Sequence, residues 1–495
     1  MYICQRRRGD LPVKTEDMER FLSLCLAITE ERDREALLSS ILDTAMDLAG
    51  CDAGTLYLVE DDQLHFCRMV TRSQHVRQGG HDAPIMLPPI PMEERFVAAW
   101  AAIYRTSVRI SDIRRDPRFD FSGSLQYDKL TGYETVSMMV VPLSSDRGEL
   151  VGIMQLINAL DSRGNVIPFD ADMEKLIFAV ASQAAISITN MQYTEQIYAL
   201  MDSLVVSLSS AIDERSHYTA NHTRNMVSVA ERFLDWLNRT DSPWQFDADR
   251  RRAFLMSVWL HDVGKLAVPL KVMDKATRLG DALPGLLERF RVIGLLDRIA
   301  MLEGRLTEDE LSRRDLDRKE TETAILRINS GGFLSEADRA FIEELSHKTY
   351  MDETGRVLPW ITEEEKRCLS IPKGTLTAEE RQVMENHVQI TRRILDGVSY
   401  PRQFASVPAW AAAHHEFLDG SGYPDHIGTD EIPPEARLLT ILDIFEALTA
   451  RDRPYKKAMP LEKALRILQE MAECGKLDAG ILDLFLQSRA WEAVL

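Results

Sequence analysis

Histidine and aspartate residues that could bind metal ions are dispersed from residue 222 onward in this 495-residue sequence. A single histidine beside an apolar helix is more typical of a packed core than of a metal site. Taken together, imidazole and carboxylate groups suit iron, manganese or zinc better than calcium or magnesium. Five histidines and two aspartates can fill two cation sites and leave positions for water and substrate. The set is His222, His261, Asp262, His387, His414, His415 and Asp443.

The adjacent pair His261 and Asp262 supplies a neutral nitrogen beside a carboxylate whose two oxygens could bridge two cations. Two cations about 3.5 to 4 Å apart lower the pKa of a bridging water and direct the resulting hydroxide in line at phosphorus. The pattern therefore favours phosphodiester hydrolysis. Lys265 lies one helical turn beyond His261 and could hold a phosphate oxygen. A solvated lysine stabilised at a helix end is the alternative.

Three segments carry a family resemblance: HDVGK at 261–265, HHEFLDGSGYP at 414–424 and LDIFEALTARDRPYKKA at 442–458. They resemble the HD-GYP family, a branch of the HD phosphohydrolases, over about residues 200–275 and 373–480. The resemblance implies an all-helical enzyme that hydrolyses cyclic di-GMP to linear pGpG and in some members onward to GMP. It also implies a site with two or three iron or manganese ions.

Carried over residue by residue, the resemblance makes the seven residues above the metal ligands, with Asp262 bridging. Asp262 and Lys265 would be catalytic, and Lys265, Arg453 and Lys456 would bind substrate. The motif that names the family is Gly422, Tyr423 and Pro424. Members with a third metal have a glutamate four residues before the first histidine, where this chain has Tyr218. We therefore expect two divalent ions per chain, iron or manganese, and a reaction that stops at pGpG.

An α+β domain is predicted before this region. A helix opening near Met18 precedes strand-like runs, two of which are joined by the turn SSDRGE. The segment 137–190 resembles the final hairpin and helix of the GAF family, and the likeness covers about residues 18–195. Asn158 and Phe169 match its cyclic-nucleotide signature, but Ala159 replaces the lysine. A ligand-sensing pocket and a purely structural dimerisation module both remain open. The predicted strand runs are AGTLYLVED, LHFCRMVT, SVRISDI, SMMVVPL and LVGIMQLINA.

A long helix is predicted to link the domains, because neither proline nor glycine occurs from 172 to 215. Its apolar residues recur with steps of four and three over about two heptads. This seam predicts a parallel homodimer that transmits a signal as a change in helix packing. A single helix packed on the core of its own domain is the alternative. The seam consists of Ile197, Met201, Leu204, Leu208 and Ala211.

An insertion at about 276–372 separates HDVGK from the later motifs. It contains the helix starts TEDE, SEAD and TEEE, the first and third of which are capping boxes. Several short amphipathic helices are expected there, with His347 on the surface. Two interpretations fit this sequence. The insertion could be a lid or partner-binding subdomain beside the site, or it could be a helical excursion without function.

Composition limits the remaining possibilities. A net charge of −19 argues against binding to a nucleic acid polymer. The six cysteines are scattered without a CxxC, so the cysteines favour a reducing compartment. No run approaches the roughly 18 to 20 apolar residues of a membrane span, and a cytoplasmic location is expected. Residues 1–17, with their RRR, are predicted to be a flexible tail.

The predicted architecture is thus a GAF sensor domain linked by a long helix to an HD-GYP domain spanning 200–495. The leading functional hypothesis is a sensor-regulated phosphodiesterase for cyclic di-GMP. A second hypothesis changes the substrate to another cyclic dinucleotide such as 3',3'-cyclic GMP-AMP. A third is a catalytically weak receptor that binds the dinucleotide and signals through a dimer. For the first domain, an unknown small-molecule ligand or none is expected.

Overall fold

The computed structural model describes residues 33–145, 148–215, 221–450 and 459–494. The chain forms two compact units that divide between Leu200 and Met201. The first is an α+β unit and the second is mainly helical, which confirms the predicted fold classes. No helix in the described ranges combines the length and apolar character that crossing a membrane requires.

The first unit is built on an antiparallel sheet. Its strands are β1 (Cys51–Glu60), β2 (Gln63–Thr71), β3 (Val76–Gln78), β4 (Ile90–Pro91), β5 (Val108–Ile110), β6 (Met138–Ser144), β7 (Leu150–Leu160) and β8 (Val166–Ile167). The strand order is β3-β2-β1-β7-β6-β5, with β4 beside β2 and β8 beside β7. All five predicted strand runs contribute strands, and the Ser145 amide donates to the Glu149 carbonyl oxygen where β6 ends and β7 begins. The middle of the predicted turn SSDRGE lies outside the described residues.

Separate apolar cores cover the two faces of this sheet. Leu56 and Leu58 of β1 point into one core and Tyr57 into the other, because successive side chains of a strand alternate. The first core packs against helices α1 and α4, and the second against α2 and the start of α3. These helices are α1 (Arg34–Ala49), α2 (Val97–Tyr104), α3 (Ser122–Thr131) and α4 (Ala171–Asp213).

Helix α1 has defined ends. Asp33 accepts a hydrogen bond from the backbone of Ala36 at its start, and Gly50 adopts a left-handed conformation with φ of 57° at its end. The predicted opening of this helix near Met18 lies outside the described residues.

Helix α4 runs unbroken for 43 residues, as the absence of proline and glycine predicts. Val205, Ser209 and Ile212 are buried on one face. The predicted seam lies on another face: Ile197, Leu204 and Leu208 are each about half exposed, at 57%, 55% and 49%. Met201 is half-buried and Ala211 is exposed. Beyond Met201, where α4 belongs to the second unit, the helix therefore buries one face and leaves the seam positions largely exposed.

The second unit is a helical array. Its helices are α5 (His222–Arg239), α6 (Ala248–Leu260), α7 (Leu270–Met273), α8 (Leu283–Leu302), α9 (Glu308–Ser330), α10 (Glu336–Ser346), α11 (Glu363–Leu369), α12 (Ala378–Glu385), α13 (His387–Asp396), α14 (Val407–Ala412), α15 (Pro434–Thr449), α16 (Leu461–Glu473) and α17 (Ala479–Ser488). A short 3-10 helix, Val263–Ala267, follows α6. Helix α13 packs against both this 3-10 helix and α14.

The insertion folds around an apolar core of its own. Helices α8 to α11 and a two-stranded hairpin, β9 (Thr349–Met351) and β10 (Val357–Pro359), enclose it. Both predicted capping boxes are present, at Thr307 with Glu310 and at Thr362 with Glu365. His347 is exposed, as predicted. The core comprises Leu279, Leu286, Phe290, Ile293, Ile325, Ile328, Ile342, Leu345, Trp360, Ile361, Cys368 and Leu369.

Candidate metal centre

The seven predicted metal ligands are brought together by several helices of the second unit. Most stand at helix ends, where the chain changes direction and a side chain can point into the space between elements. They are His222 at the start of α5, His387 at the start of α13, His261 and Asp262 between α6 and the 3-10 helix, His414 and His415 after α14, and Asp443 within α15.

Three of the histidines are held in the same way. In each, Nδ1 faces the backbone carbonyl oxygen of the residue three positions earlier. A carbonyl oxygen can only accept, so Nδ1 carries the proton and Nε2 presents its lone pair. All three imidazoles therefore present Nε2 to the inside of the cluster. The pairs are His261 with Val258 at 2.7 Å, His387 with Met384 at 2.6 Å and His414 with Ala411 at 2.6 Å.

Asp262 lies between these nitrogens. Its Oδ1 is 3.2 Å from Nε2 of His387 and 4.0 Å from Nε2 of His414. Its Oδ2 is 3.2 Å from Nε2 of His261 and 3.9 Å from Nε2 of His222. Each carboxylate oxygen therefore faces a different pair of histidines, which is the arrangement a bridging ligand needs.

Asp443 stands on the other side of the cluster. Its Oδ1 is 3.3 Å from Nε2 of His222, and its Oδ2 is 3.8 Å from Nδ1 of His415. His415 is the most exposed histidine of the set, at 24% of its side chain. Its ring lies 4.8 Å from that of Tyr423, so the tyrosine of the GYP motif forms a wall beside the cluster.

The cluster contains buried polar atoms that make no hydrogen bond within the described part of the chain. They are Nε2 of His261, His387 and His414, and Oδ1 of Asp262. Buried polar atoms in folded proteins are nearly always hydrogen-bonded, so several such atoms at one place require a missing partner. Nitrogen lone pairs and a carboxylate oxygen call for a cation. The residues present therefore fit metal ions.

Two groups of potential ligand atoms can be distinguished. His387, His414 and His415 form one group, and His222, His261 and Asp262 form the other. Within each group the atoms lie within 4.8 Å of one another. Asp262 also faces His387, so the two groups adjoin.

The electrostatics keep most of these side chains in the forms that bind cations. Burial raises the pKa of Asp262, but Lys265 and His261 outweigh it and hold that pKa well below its usual range. Burial lowers the pKa of His414 well below its usual range and that of His415 to about 4. The carboxylate therefore stays ionised and these two imidazoles stay neutral, as metal binding requires.

His222 behaves differently from these two histidines. Burial lowers its pKa, but hydrogen bonds to Asp443 and Glu446 more than compensate and raise it to about 10. Asp443 has a lowered pKa because its bond to His222 overcomes the effect of burial. A proton on His222 thus balances two buried carboxylates when no cation is bound.

Glu446 is a site residue that the sequence analysis missed. It is 4% exposed, its Oε2 bonds Nδ1 of His222, and its Oε1 accepts from the Asn225 amide at 3.2 Å. Histidines that bind metals commonly pair their second nitrogen with such a carboxylate, which fixes the ring. The available signal was its spacing: Glu446 lies three residues after Asp443 on α15, hence on the same face.

Lys265 lies at the edge of the cluster. Its ammonium bonds Oδ2 of Asp262, and its side chain is 20% exposed. Arg215, just beyond the end of α4, donates to the backbone carbonyl oxygens of Lys265 at 3.1 Å, Leu266, and Val268 at 3.1 Å. The segment that carries Lys265 is therefore held by an arginine at the end of the linker helix.

Close packing explains the glycine of HDVGK. A Cβ atom at Gly264 would lie 1.9 Å from the carbonyl oxygen of His387 and 2.6 Å from the backbone nitrogen of Thr391. The Thr391 hydroxyl accepts from the Gly264 amide at 2.9 Å and donates to the carbonyl oxygen of His261 at 3.0 Å. The two ligand-bearing segments can approach because residue 264 has no side chain.

The GYP loop contains a second close approach. A Cβ at Gly422 would lie 2.4 Å from the Phe417 nitrogen and 2.5 Å from the His415 carbonyl oxygen. Glu416 accepts from the backbone of Asp425 at 2.7 Å and closes the loop. Asp419 is exposed and bonds Ser421 within the turn, so it does not reach the cluster.

Three residues singled out by sequence lie outside the described part of the chain: Arg453, Lys456 and Tyr218. Their proposed roles in substrate binding and in limiting the metal count stay predictions.

Comparison with known families follows this division of the chain. The GAF domain family matches residues 33–188, and the HD domain family matches residues 365–481. The chain thus carries an N-terminal GAF domain followed by an HD domain, which confirms the predicted domain types. The HD match includes His387, His414, His415 and Asp443, whereas His261 lies before the insertion and outside the matched range.

Curated relatives resemble parts of this chain. A 3'3'-cGAMP-specific phosphodiesterase 3 of Vibrio cholerae is 43% identical over 97 residues, which is 20% of this chain and 20% of the relative. The cyclic di-GMP phosphodiesterase response regulator RpfG of Xanthomonas campestris is 33% identical over 201 residues, 36% of this chain and 50% of the relative. The chain therefore spans half or less of the length of these relatives.

A cyclic di-GMP phosphodiesterase of Thermotoga maritima is 37% identical over 115 residues, 23% of this chain and 30% of the relative. Among solved structures, the GAF domain of an Acinetobacter phosphoenolpyruvate-protein phosphotransferase is similar at 10% identity and a TM-score of 0.29, covering 37% of this chain and 99% of that domain.

Proposed function

We propose that this chain is a metal-dependent phosphodiesterase of the HD-GYP type that hydrolyses cyclic di-GMP to linear pGpG under the control of its GAF domain. The observation that carries the proposal is the set of buried, unbonded nitrogens around Asp262. Their geometry suits two divalent cations, with iron or manganese favoured by the nitrogen and oxygen ligands.

The ligand roles follow from the contacts. His387, His414 and His415 would hold one ion, and His222, His261 and Asp443 the other, with Asp262 between the two. Bound cations of this kind lower the pKa of a shared water molecule and offset charge that develops on phosphoryl oxygens. Asp262 is thus assigned a catalytic as well as a binding role.

Lys265 supplies a fixed positive charge at the rim of the cluster. Its partial exposure leaves the ammonium accessible to a phosphate oxygen of the substrate, while its bond to Asp262 keeps it beside the reacting group. Arg453 and Lys456 are proposed to bind the substrate phosphates from the DRPYK segment. Tyr423 is proposed to line the same cleft.

A second substrate has support of its own. Relatives named as 3'3'-cGAMP-specific phosphodiesterases match this chain at 43% and 39% identity. 3',3'-Cyclic GMP-AMP is therefore the alternative substrate, and a receptor that binds without turnover is the alternative role.

The decisive experiment incubates chain reconstituted with Mn²⁺ or Fe²⁺ with each dinucleotide and resolves the products by HPLC. We expect cyclic di-GMP to give pGpG without GMP, and activity to disappear on chelation and return with metal. Asp262→Ala should abolish turnover and lower the bound metal, whereas Asp483→Ala, an exposed aspartate on α17, should change neither. Binding of cyclic di-GMP by metal-replete protein without turnover would support the receptor instead.

Metal content tests the count separately. Inductively coupled plasma mass spectrometry of anaerobically purified protein should find two ions per chain. Three ions would contradict the argument from Tyr218 and would favour further cleavage to GMP.

The chain is also proposed to form a homodimer through the uncovered seam of α4. Ile197, Leu204 and Leu208 are each about half exposed. They recur at heptad spacing, so a second copy of the helix could cover them. Such a dimer would let the GAF domain influence the HD domain through the continuous helix.

A further inference from the structure

The GAF domain encloses a cavity of about 580 Å³. This volume falls within the range of about 300 to 1,000 Å³ that small-molecule sites occupy. The floor is the sheet face that carries Thr55, Tyr57 and Gln155, and the walls come from α2, α3 and residues 87–91. The cavity is therefore large enough for an organic molecule rather than for a few waters.

The lining is unsuited to an anion. No lysine, arginine or histidine is among the described residues that line it, and Asp120 is an acid at its edge. Asp120 accepts hydrogen bonds from Ser122, which lower its pKa and keep it ionised. A phosphate placed here would lose its hydration beside this carboxylate, with no cationic side chain among the described lining residues to replace it, and such burial is costly.

Cyclic-nucleotide binding is disfavoured by a second observation. Asn158, which matches the cyclic-nucleotide signature, has its side-chain oxygen occupied by the backbone amides of Val136 at 2.8 Å and Ser137 at 3.2 Å. Its amide nitrogen donates to the Glu134 carbonyl oxygen at 2.7 Å and the Tyr133 hydroxyl at 3.1 Å. The residue holds the backbone and is not available to a ligand.

Neutral and aromatic groups dominate the remaining lining. Tyr57 donates to the side-chain oxygen of Gln155 at 3.1 Å in the floor, and Phe66 packs on Tyr57 with ring centroids 4.7 Å apart. Leu87 and Leu130 lie at the mouth and are 39% and 79% exposed. An apolar ligand could cover both leucines. The other aromatic lining residues are Phe96, Phe121, Tyr127 and Tyr133.

We propose that this cavity binds an uncharged, mainly aromatic organic molecule that carries one or two neutral hydrogen-bonding groups. The aromatic side chains supply stacking surfaces, and Gln155 with Tyr57 supplies the polar contact that orients the ligand. The regulatory consequence rests on the proposed phosphodiesterase function, but ligand binding itself does not.

The test uses two fluorescent probes that differ by one charged group. N-phenyl-1-naphthylamine is neutral, and 1-anilinonaphthalene-8-sulfonate is the same ring system with a sulfonate. We expect the neutral probe to bind the full-length, metal-loaded chain saturably and about tenfold or more tightly than the sulfonate. Cyclic AMP and cyclic GMP at millimolar concentration should displace neither probe.

Variants at Gly123 locate the bound probe. Gly123 lines the cavity, and a Cβ there would meet no atom within 4 Å. Gly123→Trp should fill the cavity and weaken the neutral probe about tenfold or more, whereas Gly123→Ala should bind as the parent does. Melting curves followed by circular dichroism verify that both variants fold. If Gly123→Trp does not fold, the parent chain is tested with diphenylamine, a non-fluorescent neutral analogue. Competition between diphenylamine and the neutral probe then tests for one saturable site.

Equal or tighter binding of the sulfonate, displacement by a cyclic nucleotide, or unchanged binding to folded Gly123→Trp would overturn the inference. The last result would place the probe outside this cavity. Phosphodiesterase activity is measured on the same preparations. Turnover without probe binding defeats this inference alone, and probe binding without turnover defeats the proposed function alone.

Discussion

Glu446 shows how one side chain can orient a candidate metal ligand without belonging to the candidate ligand set. Its carboxylate holds Nδ1 of His222, so Nε2 points at Asp262 and Asp443. His261, His387 and His414 rely on backbone carbonyl oxygens for the same purpose. Unlike these three, His222 is a candidate ligand whose orientation a single substitution can release, because a backbone carbonyl cannot be mutated away.

We predict that Glu446→Ala lowers metal affinity about 10- to 100-fold. Glu446→Gln should fall between this variant and the parent, since the amide oxygen still accepts from Nδ1. Chelator titration with metal analysis measures the affinity. At saturating metal the KM for the dinucleotide should stay near that of the parent, because Glu446 is a positioning residue away from the substrate.

Glu435 provides the matched control. It lies on the same helix, is 6% exposed and pairs with Arg250 at 2.7 Å, but it is not part of the cluster. Glu435→Ala should destabilise the fold while leaving metal affinity unchanged. Equal loss of metal in both variants would show that Glu446 acts through general stability.

The seven candidate ligands could be predicted from the sequence, because imidazole and carboxylate chemistry and the motifs that carry the family resemblance are visible in it. The orientation of each ring was not, since it depends on carbonyl oxygens that any residue supplies. Glu446 was missed for a related reason: a glutamate within an apolar helix is interpreted by itself, while its partner His222 is 224 positions away.

At the scale of elements, the candidate site depends most directly on where the 3-10 helix after α6 lies. It follows Asp262 and carries Lys265, packs on α13 through Gly264, and is tied to the end of α4 by Arg215. Its own length of five residues gives it little internal hydrogen bonding. Its position is therefore set by neighbours.

We predict that Arg215→Ala raises the KM for the dinucleotide roughly tenfold, as expected for the loss of charge-assisted hydrogen bonds. Metal content should not change, because Arg215 bonds the backbone beyond the ligands. Arg215→Lys should restore part of the loss, since one ammonium can bond some of these carbonyl oxygens. Steady-state kinetics at saturating metal, with parallel metal analysis, gives both quantities.

Arg232→Ala is the control, because Arg232 is also partly exposed and pairs with Glu492 at 3.1 Å away from the site. It should leave the KM unchanged. An Arg215→Ala variant that loses metal, or one that matches Arg232→Ala in KM, would contradict the assigned role.

The elements that the sequence predicted are those with a clear local pattern. The long strands are apolar runs of about ten residues, α4 lacks proline and glycine, and two helices of the insertion open with capping boxes. Helix α2 was not predicted, because VAAWAAIY is apolar on nearly every face and shows no period. Helix α3, SGSLQYDKLT, has the opposite problem, since few apolar residues mark a buried side.

At the scale of the whole molecule, a net charge of −19 opposes an anionic substrate. That repulsion is screened beyond a Debye length of about 8 Å at physiological ionic strength. Capture of the proposed substrate would therefore depend on charges inside the cleft, where Lys265 and the proposed cations would outweigh the distant acids. The same excess negative charge would oppose association of two chains. A dimer therefore requires an apolar contact whose burial stabilises the pair by more than this repulsion destabilises it.

The uncovered seam of α4 is the predicted contact. We expect the full-length chain to be dimeric by multi-angle light scattering, and the double variant Leu204→Glu, Leu208→Glu to weaken the dimer at least about tenfold, because buried unpaired carboxylates at a and d positions oppose helix pairing. Ser203→Glu adds a negative charge on an exposed position of the same helix away from the seam and should leave the dimer intact.

If the seam transmits regulation, the double variant should retain metal and turnover but lose any response of turnover to the neutral probe. A parent that is monomeric at micromolar concentration, or a Ser203→Glu variant that dissociates equally, would contradict the seam as the dimer contact.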